Sequence, residues 1–243
     1  MKRFLLLSFA IVTTLALASC VSSGSALYEA AWSGKSDVVR ELLYKGENVN
    51  ERGSYGNFTP LWGASRYGFN DVVRMLLDKG ASVNDDKNLS HTSALAIAVT
   101  FQHPDVVRTL LDHGANPDSE ATKDHDGLTV LMMAVDYLNV EIVDALIKKG
   151  AKVNLLSHPA FQKEATIVFH EGNIVTCNGY TALTYANRKE VDGINLHKKY
   201  EIIDLLKNAG AKEAPFIVQG PWLVGPSEIL ARALECYYQY KAL

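Results

Sequence analysis

The sequence predicts an all-α fold: a solenoid of about five helix-turn-helix units, with short β-hairpin fingers between units and a capping helix at the C-terminal end. Two observations predict it. An apolar motif that ends in glycine recurs along the chain, and a leucine precedes each copy at a constant distance. Repetition with a period of about 20–50 residues is typical of folds in which each unit packs only against its neighbours.

The recurring motif predicts the second helix of each unit. It reads VVRELLYKG, VVRMLLDKG, VVRTLLDHG and IVDALIKKG, and its closing glycines are Gly46, Gly80, Gly114 and Gly150, spaced by 34, 34 and 36 residues. Glycine adopts without strain the left-handed conformation that commonly follows a helix. Each of these glycines therefore predicts a helix end.

The preceding leucine predicts the first helix of each unit. It stands nineteen residues before each closing glycine, and an alanine follows it by three residues. A side chain larger than methyl at the alanine position would hold stacked helices apart. The leucines are Leu27, Leu61, Leu95 and Leu131, and the alanines are Ala30, Ala64, Ala98 and Ala134.

These spacings resemble those of the ankyrin repeat family. Thr59-Pro60-Leu61 resembles the threonine, proline and leucine that open the first helix in that family, and the segment 80–84 resembles its loop after the second helix. The resemblance covers about residues 25–212. It implies units at about 25–57, 58–91, 92–126, 127–178 and 179–212. It also implies a module that binds proteins through a concave groove and finger loops.

The fifth unit departs from the pattern. It opens at Thr181, and 27 residues separate its leucine, Leu183, from its closing glycine, Gly210. The other units have nineteen residues at this place, so the segment from Arg188 to Lys199 is predicted to contain an insertion of about eight.

The fourth unit carries a longer insertion, residues 155–178. Two β-prone runs, TIVF and IVT, flank a segment that contains Gly172, and this pattern predicts a projecting hairpin with Phe169 opposite Ile174. An isolated two-stranded ribbon is marginal in water, so a packing partner is required. The hairpin is expected either to recognise a partner or to pack on its own solenoid.

Residues 213–243 follow the last unit. Apolar residues at helical spacing predict a helix from Ser227 to Tyr240. We expect this segment to cap the open end of the stack, and a separate binding element is the alternative.

The first twenty residues have the pattern of a signal peptide. A cationic start precedes the apolar run Phe4–Leu17, which is too short to span a bilayer. The run ends in LASC, which resembles the lipobox of bacterial lipoproteins and implies that residues 1–19 are removed and Cys20 is lipidated. Residues 20–24 would then tether the repeats to an envelope membrane, the outer membrane facing the periplasm. A secretory signal with a chance cysteine is the alternative.

Composition argues against several classes of function. The formal net charge of −3 gives no reason to expect nucleic acid. The seven histidines are scattered without metal-ligand spacing, and neither a nucleophile elbow nor a glycine-rich phosphate loop is present. We therefore expect no enzyme, cofactor or metal. Cys177 and Cys236 leave a disulfide open, because sequence does not say whether they approach one another.

The groove is predicted from positions two, five and six residues after each leucine, which the resemblance places on the concave face. Aromatic and apolar groups recur there, edged by charges, and such surfaces supply binding anchors. Packing between units is the alternative. The predicted partner-binding residues are Trp32, Arg66, Tyr67, Phe101, Asp136, Tyr137, Tyr185 and Arg188, with Phe169 and Ile174 of the insertion; Ile97 and Met133 occupy the same groove positions.

The predicted function is recognition of a still unidentified protein by a membrane-anchored module. A sharper variant is an immunity or inhibitor lipoprotein that blocks a periplasmic toxin or hydrolase. An envelope enzyme and a passive membrane-organising protein are the rivals from other classes.

Overall fold

The computed structural model describes residues 26–54, 56–121, 128–157, 167–168, 174–177, 181–189, 191–193, 195–212 and 216–219. Its helices alternate between an inner row and an outer row. The inner helices are α1 Ala26–Trp32, α3 Pro60–Tyr67, α5 Ala94–Thr100, α7 Val130–Asp136 and α9 Ala182–Arg188. The outer helices are α2 Ser36–Tyr44, α4 Asn70–Asp78, α6 Pro104–Asp112, α8 Val140–Lys148 and α10 Leu196–Asn208.

Four of the inner helices, α3, α5, α7 and α9, begin at a hydroxyl side chain. Thr59 Oγ1 accepts a hydrogen bond from the Trp62 amide at 3.2 Å, and Ser93 Oγ accepts one from Ala96 at 3.1 Å. Thr129 and Thr181 cap α7 and α9 in the same way. These contacts satisfy an amide that has no partner within the helix, which explains the recurring threonine or serine before the leucine.

Each outer helix ends at the predicted glycine. The backbone φ angles of Gly46, Gly80, Gly114, Gly150 and Gly210 lie between 82° and 87°. After α4, the Gly80 amide donates to Leu77 and the Ala81 amide donates to Leu76, which closes the last turn. The prediction made from the glycines is confirmed.

The core lies between the two rows of helices. The opening leucines and the alanines that follow them are buried. Inner helices stack on inner helices, and outer helices stack on outer helices, from α1 to α10. Burial of these side chains supplies the main driving force for stacking, because each unit covers the apolar face of its neighbour.

A ladder of amide side chains joins successive units; we call each of its steps a rung. Asn50 donates to Gly80 O and accepts from the Ser82 amide, at 3.3 and 2.8 Å. Asn84 makes the equivalent pair of bonds to the next unit at 3.0 and 2.8 Å. At the third rung Asp118 accepts from the Lys152 amide at 2.7 Å, and its carboxylate pairs with Lys152 Nζ at 3.1 Å.

The fourth rung spans two insertions, residues 155–178 and the shorter one predicted between Arg188 and Lys199. Asn154 Nδ2 donates to Gly210 O at 3.1 Å, and Asn154 Oδ1 accepts from the Lys212 amide at 2.6 Å. These partners lie 56 and 58 residues along the chain, compared with 30 and 32 at the first rung. The ladder is therefore continuous from the first unit to the last, although the inserted residues lie between the two segments that this rung joins.

The insertion contributes to a three-stranded antiparallel sheet of β1 Ile167–Val168, β2 Ile174–Cys177 and β3 Phe216–Gln219, in the order β1-β2-β3. The predicted hairpin is present, but its predicted register is wrong. Val168, not Phe169, pairs with Ile174, and five residues separate the two strands instead of four. A hairpin with the expected two-residue tip has an even number of residues between its strands, whereas the observed number is odd. The pairing is therefore shifted by one residue, and such a shift exchanges the faces of the sheet on which the side chains of a strand lie.

The third strand was not predicted. β3 lies in the segment expected to cap the stack, and it pairs with β2 from Ile174↔Gln219 to Cys177↔Phe216. This pairing supplies the packing partner that a two-stranded ribbon requires. The predicted helix at 227–240, the signal segment with Cys20, and Cys236 lie outside the described residues.

The fingers between units differ from the expected hairpins. Within their described residues, regular strand pairing is limited to one bridge, Glu120↔Thr129. The first finger is closed by the Gly53 amide and Phe58 O at 2.9 Å. In the second, the Asn88 side chain bonds the Thr92 backbone. In this second finger, side-chain bonds take the place of the backbone bond that closes the first.

Candidate functional site

Aromatic side chains of the first two units form one cluster on the inner helices. Trp32 of α1 lies 5.1 Å from Tyr28, 6.0 Å from Phe58 and 5.7 Å from Trp62 between ring centroids. Phe58 and Trp62 stack at 4.0 Å, and Trp62 is only 3% exposed. This aromatic cluster, made of Tyr28, Trp32, Phe58 and Trp62, is separate from the main aliphatic core.

A glycine gives Trp32 its position. Gly63 occupies a groove position on α3, and a Cβ built there would lie 2.0 Å from the Trp32 indole. No side chain fits at that distance, so the absence of one lets the indole lie directly on the α3 backbone. Trp32 is thus half-buried across the boundary between the first and second units.

Arg66 continues the cluster toward the third unit. Its guanidinium carbon lies 5.6 Å from the Trp62 ring centroid, 5.7 Å from Tyr67 and 4.6 Å from Phe101. Tyr67 is 48% exposed and Phe101 is 42% exposed. A cation held over three ring faces is attracted to each of them, by about 0.5–2 kcal/mol per contact. We call Trp32, Arg66, Tyr67 and Phe101 the groove patch.

Several donors of the patch and the cluster have no acceptor among the described residues. They are Arg66 Nε, Trp32 Nε1 and Trp62 Nε1. Arg66 also makes no ion pair within the described part of the chain. A buried unpaired donor costs about 1–3 kcal/mol, so these three lower the stability of this region.

The groove of the last two units has a different chemistry. Asp136 pairs with Lys189 Nζ at 2.7 Å, and both side chains are partly buried. Burial, the charge of Asp136 and a hydrogen bond to Asp136 raise the pKa of Tyr185, so this phenol stays protonated. Burial beside Asp136 also raises the pKa of Tyr137. The charges of Asp136 and Lys189 therefore neutralise one another within the chain.

The structure divides the predicted site residues into two groups. Trp32, Arg66, Tyr67 and Phe101 lie together in the groove patch. Asp136, Tyr137 and Tyr185 lie together two units away, where both tyrosines pack against the main core. The Arg188 side chain and Phe169 lie outside the described residues, and Ile174 is described as backbone in β2.

Two groove positions were predicted wrongly, and two contributors were missed. Ile97 and Met133 are buried, at 7% and 3% exposure, because the neighbouring units cover them. Trp62 was missed because its position carries Ala96 and other residue types in other units, so it shows no periodicity. Lys189 was missed although it stands at the same groove position as Tyr67.

The fingers of the first two units are tied together beside this surface. Arg52 donates to Asn57 O at 2.8 Å and pairs with Asp85 of the second finger. Asn57 Nδ2 donates to Lys87 O at 2.8 Å, and the Leu89 amide donates to Gly56 O at 3.0 Å. These contacts hold the two loops in a fixed relation along one edge of the repeats.

The sequence matches the family model of ankyrin repeats in three overlapping segments, residues 5–87, 27–121 and 85–157. Together they span more than half of the chain. The chain belongs to the ankyrin repeat family. No curated protein was found to match it.

Ankyrin repeats form a protein–protein interaction module, and the fold is typically a non-catalytic scaffold. Within the described part of this ankyrin chain, no group of three metal-ligating side chains comes together. None of the helices in that part is both long and apolar enough to cross a bilayer. Within the described surface, exposed rings and a cation without an acidic partner come together in the groove patch.

Proposed function

We propose that this ankyrin protein is a lipid-anchored envelope protein that binds a protein partner through its groove patch. The observation that carries the binding half is the exposure of Tyr67 and Phe101 on both sides of Arg66. Large rings that stay exposed next to an arginine are typical of interface anchors. The anchor half rests on the signal-like first nineteen residues and the lipobox-like segment that ends in Cys20.

The two halves belong together physically. Few residues separate Cys20 from the start of α1 at Ala26, so lipidation would hold the groove close to the bilayer surface. Confinement near a membrane raises the effective concentration of partners in the same layer. Several acyl chains would make this attachment stable, whereas one alone is marginal.

Site-specific photocrosslinking in intact cells tests the binding half. A photoreactive phenylalanine replaces Tyr67 in one variant and Tyr44 in a matched control. Tyr44 is 89% exposed but lies on outer helix α2, away from the groove. A crosslinked protein recovered from position 67 and absent from position 44 supports the proposal. Equal crosslinking from both positions, or none from position 67, contradicts it.

Metabolic labelling with an alkyne fatty acid tests the anchor half. The wild-type protein is expected to carry the label and to fractionate with membranes, and Cys20→Ala is expected to lose the label and remain unprocessed or soluble. An unlabelled wild-type protein, or membrane association unchanged in Cys20→Ala, would rule out the lipid anchor.

A further inference from the structure

The environment of Arg66 differs from that of the other partly buried arginines in the described chain. Arg52 pairs with Asp85, and Arg108 pairs with Asp105 at 2.7 Å and Glu141 at 2.6 Å. Arg66 has three aromatic rings around it, but no carboxylate. A guanidinium offers five donors, and rings satisfy none of them as acceptors in a conventional hydrogen bond.

The surroundings of Arg66 restrict which chemical group can pair with its guanidinium. Tyr67 and Phe101 present partly exposed rings beside the cation, and the Arg66 guanidinium contacts both. A single carboxylate matches this charge and the fork of the guanidinium. A phosphate carries about two charges and is usually bound by more than one cation. The exposed rings offer packing surface to apolar side chains beside the charge.

We propose that the groove patch binds a peptide segment of the partner in which a glutamate or aspartate is flanked by apolar side chains. The carboxylate pairs with the Arg66 guanidinium, and the flanking side chains pack on Tyr67 and Phe101. This inference rests on the proposed function and specifies the chemistry of the partner. The charge is assigned to the side chain of a protein and not to a free anion, because a peptide can also place apolar groups on the exposed rings beside its carboxylate.

Selection from a display library of random peptides on the full-length protein in detergent tests this proposal. Wild-type protein is expected to enrich peptides with an acidic residue next to aromatic or aliphatic residues. Arg66→Gln is expected to lose that enrichment. The matched control is Arg74→Gln, since Arg74 is an exposed arginine of outer helix α4 away from the rings. Enrichment without acidic residues, no enrichment at all, or the same peptides from Arg66→Gln would overturn the proposal.

A second measurement separates the carboxylate from other charges. The best enriched peptide is compared with its glutamine and phosphoserine versions by fluorescence polarisation. We expect the glutamate peptide to bind at least about tenfold more tightly than the glutamine peptide, a ratio that falls to about one with Arg66→Gln. Tighter binding of the phosphoserine peptide assigns the site to phosphate and overturns the inference. Self-association of the protein through this face, seen as a dimer lost in Arg66→Gln, does the same.

Failure here is distinguishable from failure of the proposed function. Crosslinking from position 67 does not depend on the charge of the bound segment. If a partner crosslinks but the peptides show no preference for glutamate, the inference of a carboxylate is wrong and the proposed binding surface stands. Absence of a crosslink from position 67 removes the surface itself.

Discussion

The groove of the first three units differs in its chemistry from the groove of the last two, although every unit is built on the same pair of helices. In the first three, Trp62, Tyr67 and Phe101 lie around Arg66, which has no acidic partner among the described residues. In the last two, Asp136 and Lys189 neutralise one another at 2.7 Å. One scaffold can therefore carry an unpaired cation in the groove at one end and an ion pair of its own in the groove at the other.

The ladder shows the same division. Asn50 and Asn84 each donate and accept across a unit boundary. The Asp118 carboxylate cannot donate a hydrogen bond. It accepts one from the Lys152 amide and forms a salt bridge with the Lys152 side chain. Regular amide rungs thus join the first three units, and the altered rung begins the half that carries the insertion.

The largest effect is expected from Trp62→Ala. Removing this buried ring should lower the free energy of unfolding by about 3–5 kcal/mol, because Phe58 and Trp32 pack on it. The third unit carries alanine at this position naturally, so sequence comparison of the units would suggest no cost. Chemical denaturation measures the change, with Tyr44→Ala as an exposed control expected within about 0.5 kcal/mol. A loss below about 1 kcal/mol would mean that the aromatic cluster does not act as a core.

A reciprocal exchange of rungs compares the two halves directly. Asn84→Asp removes the donor to Gly114 O and should cost about 1–2 kcal/mol of unfolding free energy. Asp118→Asn restores a donor but gives up the charge contact with Lys152, so its net change should be near zero. Urea unfolding of both variants measures this asymmetry. Equal costs at the two positions would show that the rungs are interchangeable.

Acid should weaken the tie between the first two fingers. Burial opposes ionisation of Asp85, but hydrogen bonds from Arg52 and the Lys87 amide, with the charges of both residues, lower its pKa overall. Because the folded pKa is lowered, the stabilisation is complete above the ordinary aspartate pKa of about 4 and is lost as pH falls through the folded value.

The variant Asp85→Asn measures this contribution. It should cost on the order of 1 kcal/mol or less near neutral pH and should unfold with a weaker dependence on pH below about 4. Thermal unfolding across pH 2–7, a range of about five units chosen to bracket the ordinary pKa, records both curves. Parallel curves for the two proteins would contradict a role for this pair.

The smallest effect is expected at the turn between helices. Gly34 and Gly68 hold positive φ angles in the first two units, whereas Gln102 and Leu138 hold φ angles of 56° and 53° at the same place. Gln102→Gly should stabilise the third unit by about 0.5 kcal/mol, since relief of left-handed strain exceeds the added chain entropy. Thermal unfolding measures it, and a decrease in stability would show that the Gln102 side chain contributes contacts that exceed the strain.

Periodicity predicted the features that repeat. The positions of Gly80 and Leu61 predicted where helices end and begin, because every unit must satisfy the same backbone and packing needs. The row that contains Tyr67 and Phe101 was predicted for the same reason, and their exposure agrees with a groove position.

Features that occur once were not predictable in this way. The partners of Trp62 and Lys189 depend on side chains from neighbouring units, and no repeat spacing marks them. Pairing of β2 with β3 joins segments about 40 residues apart, and two short β-prone runs carry no signal of that contact. The hairpin register depended on the length of a turn, for which Gly172 was an ambiguous guide.

The rung at Asn154 has a consequence for how the chain folds. Its contacts close a loop of 56 residues, compared with 30 at the first rung. Loop-closure entropy grows only with the logarithm of length, so the extra residues cost about 0.5 kcal/mol. The stack can therefore accept a longer segment at this boundary for about 0.6 kcal/mol per doubling of the loop. The boundary between the fourth and fifth units is thus a place where the protein can gain or lose length while the helices on either side stay stacked.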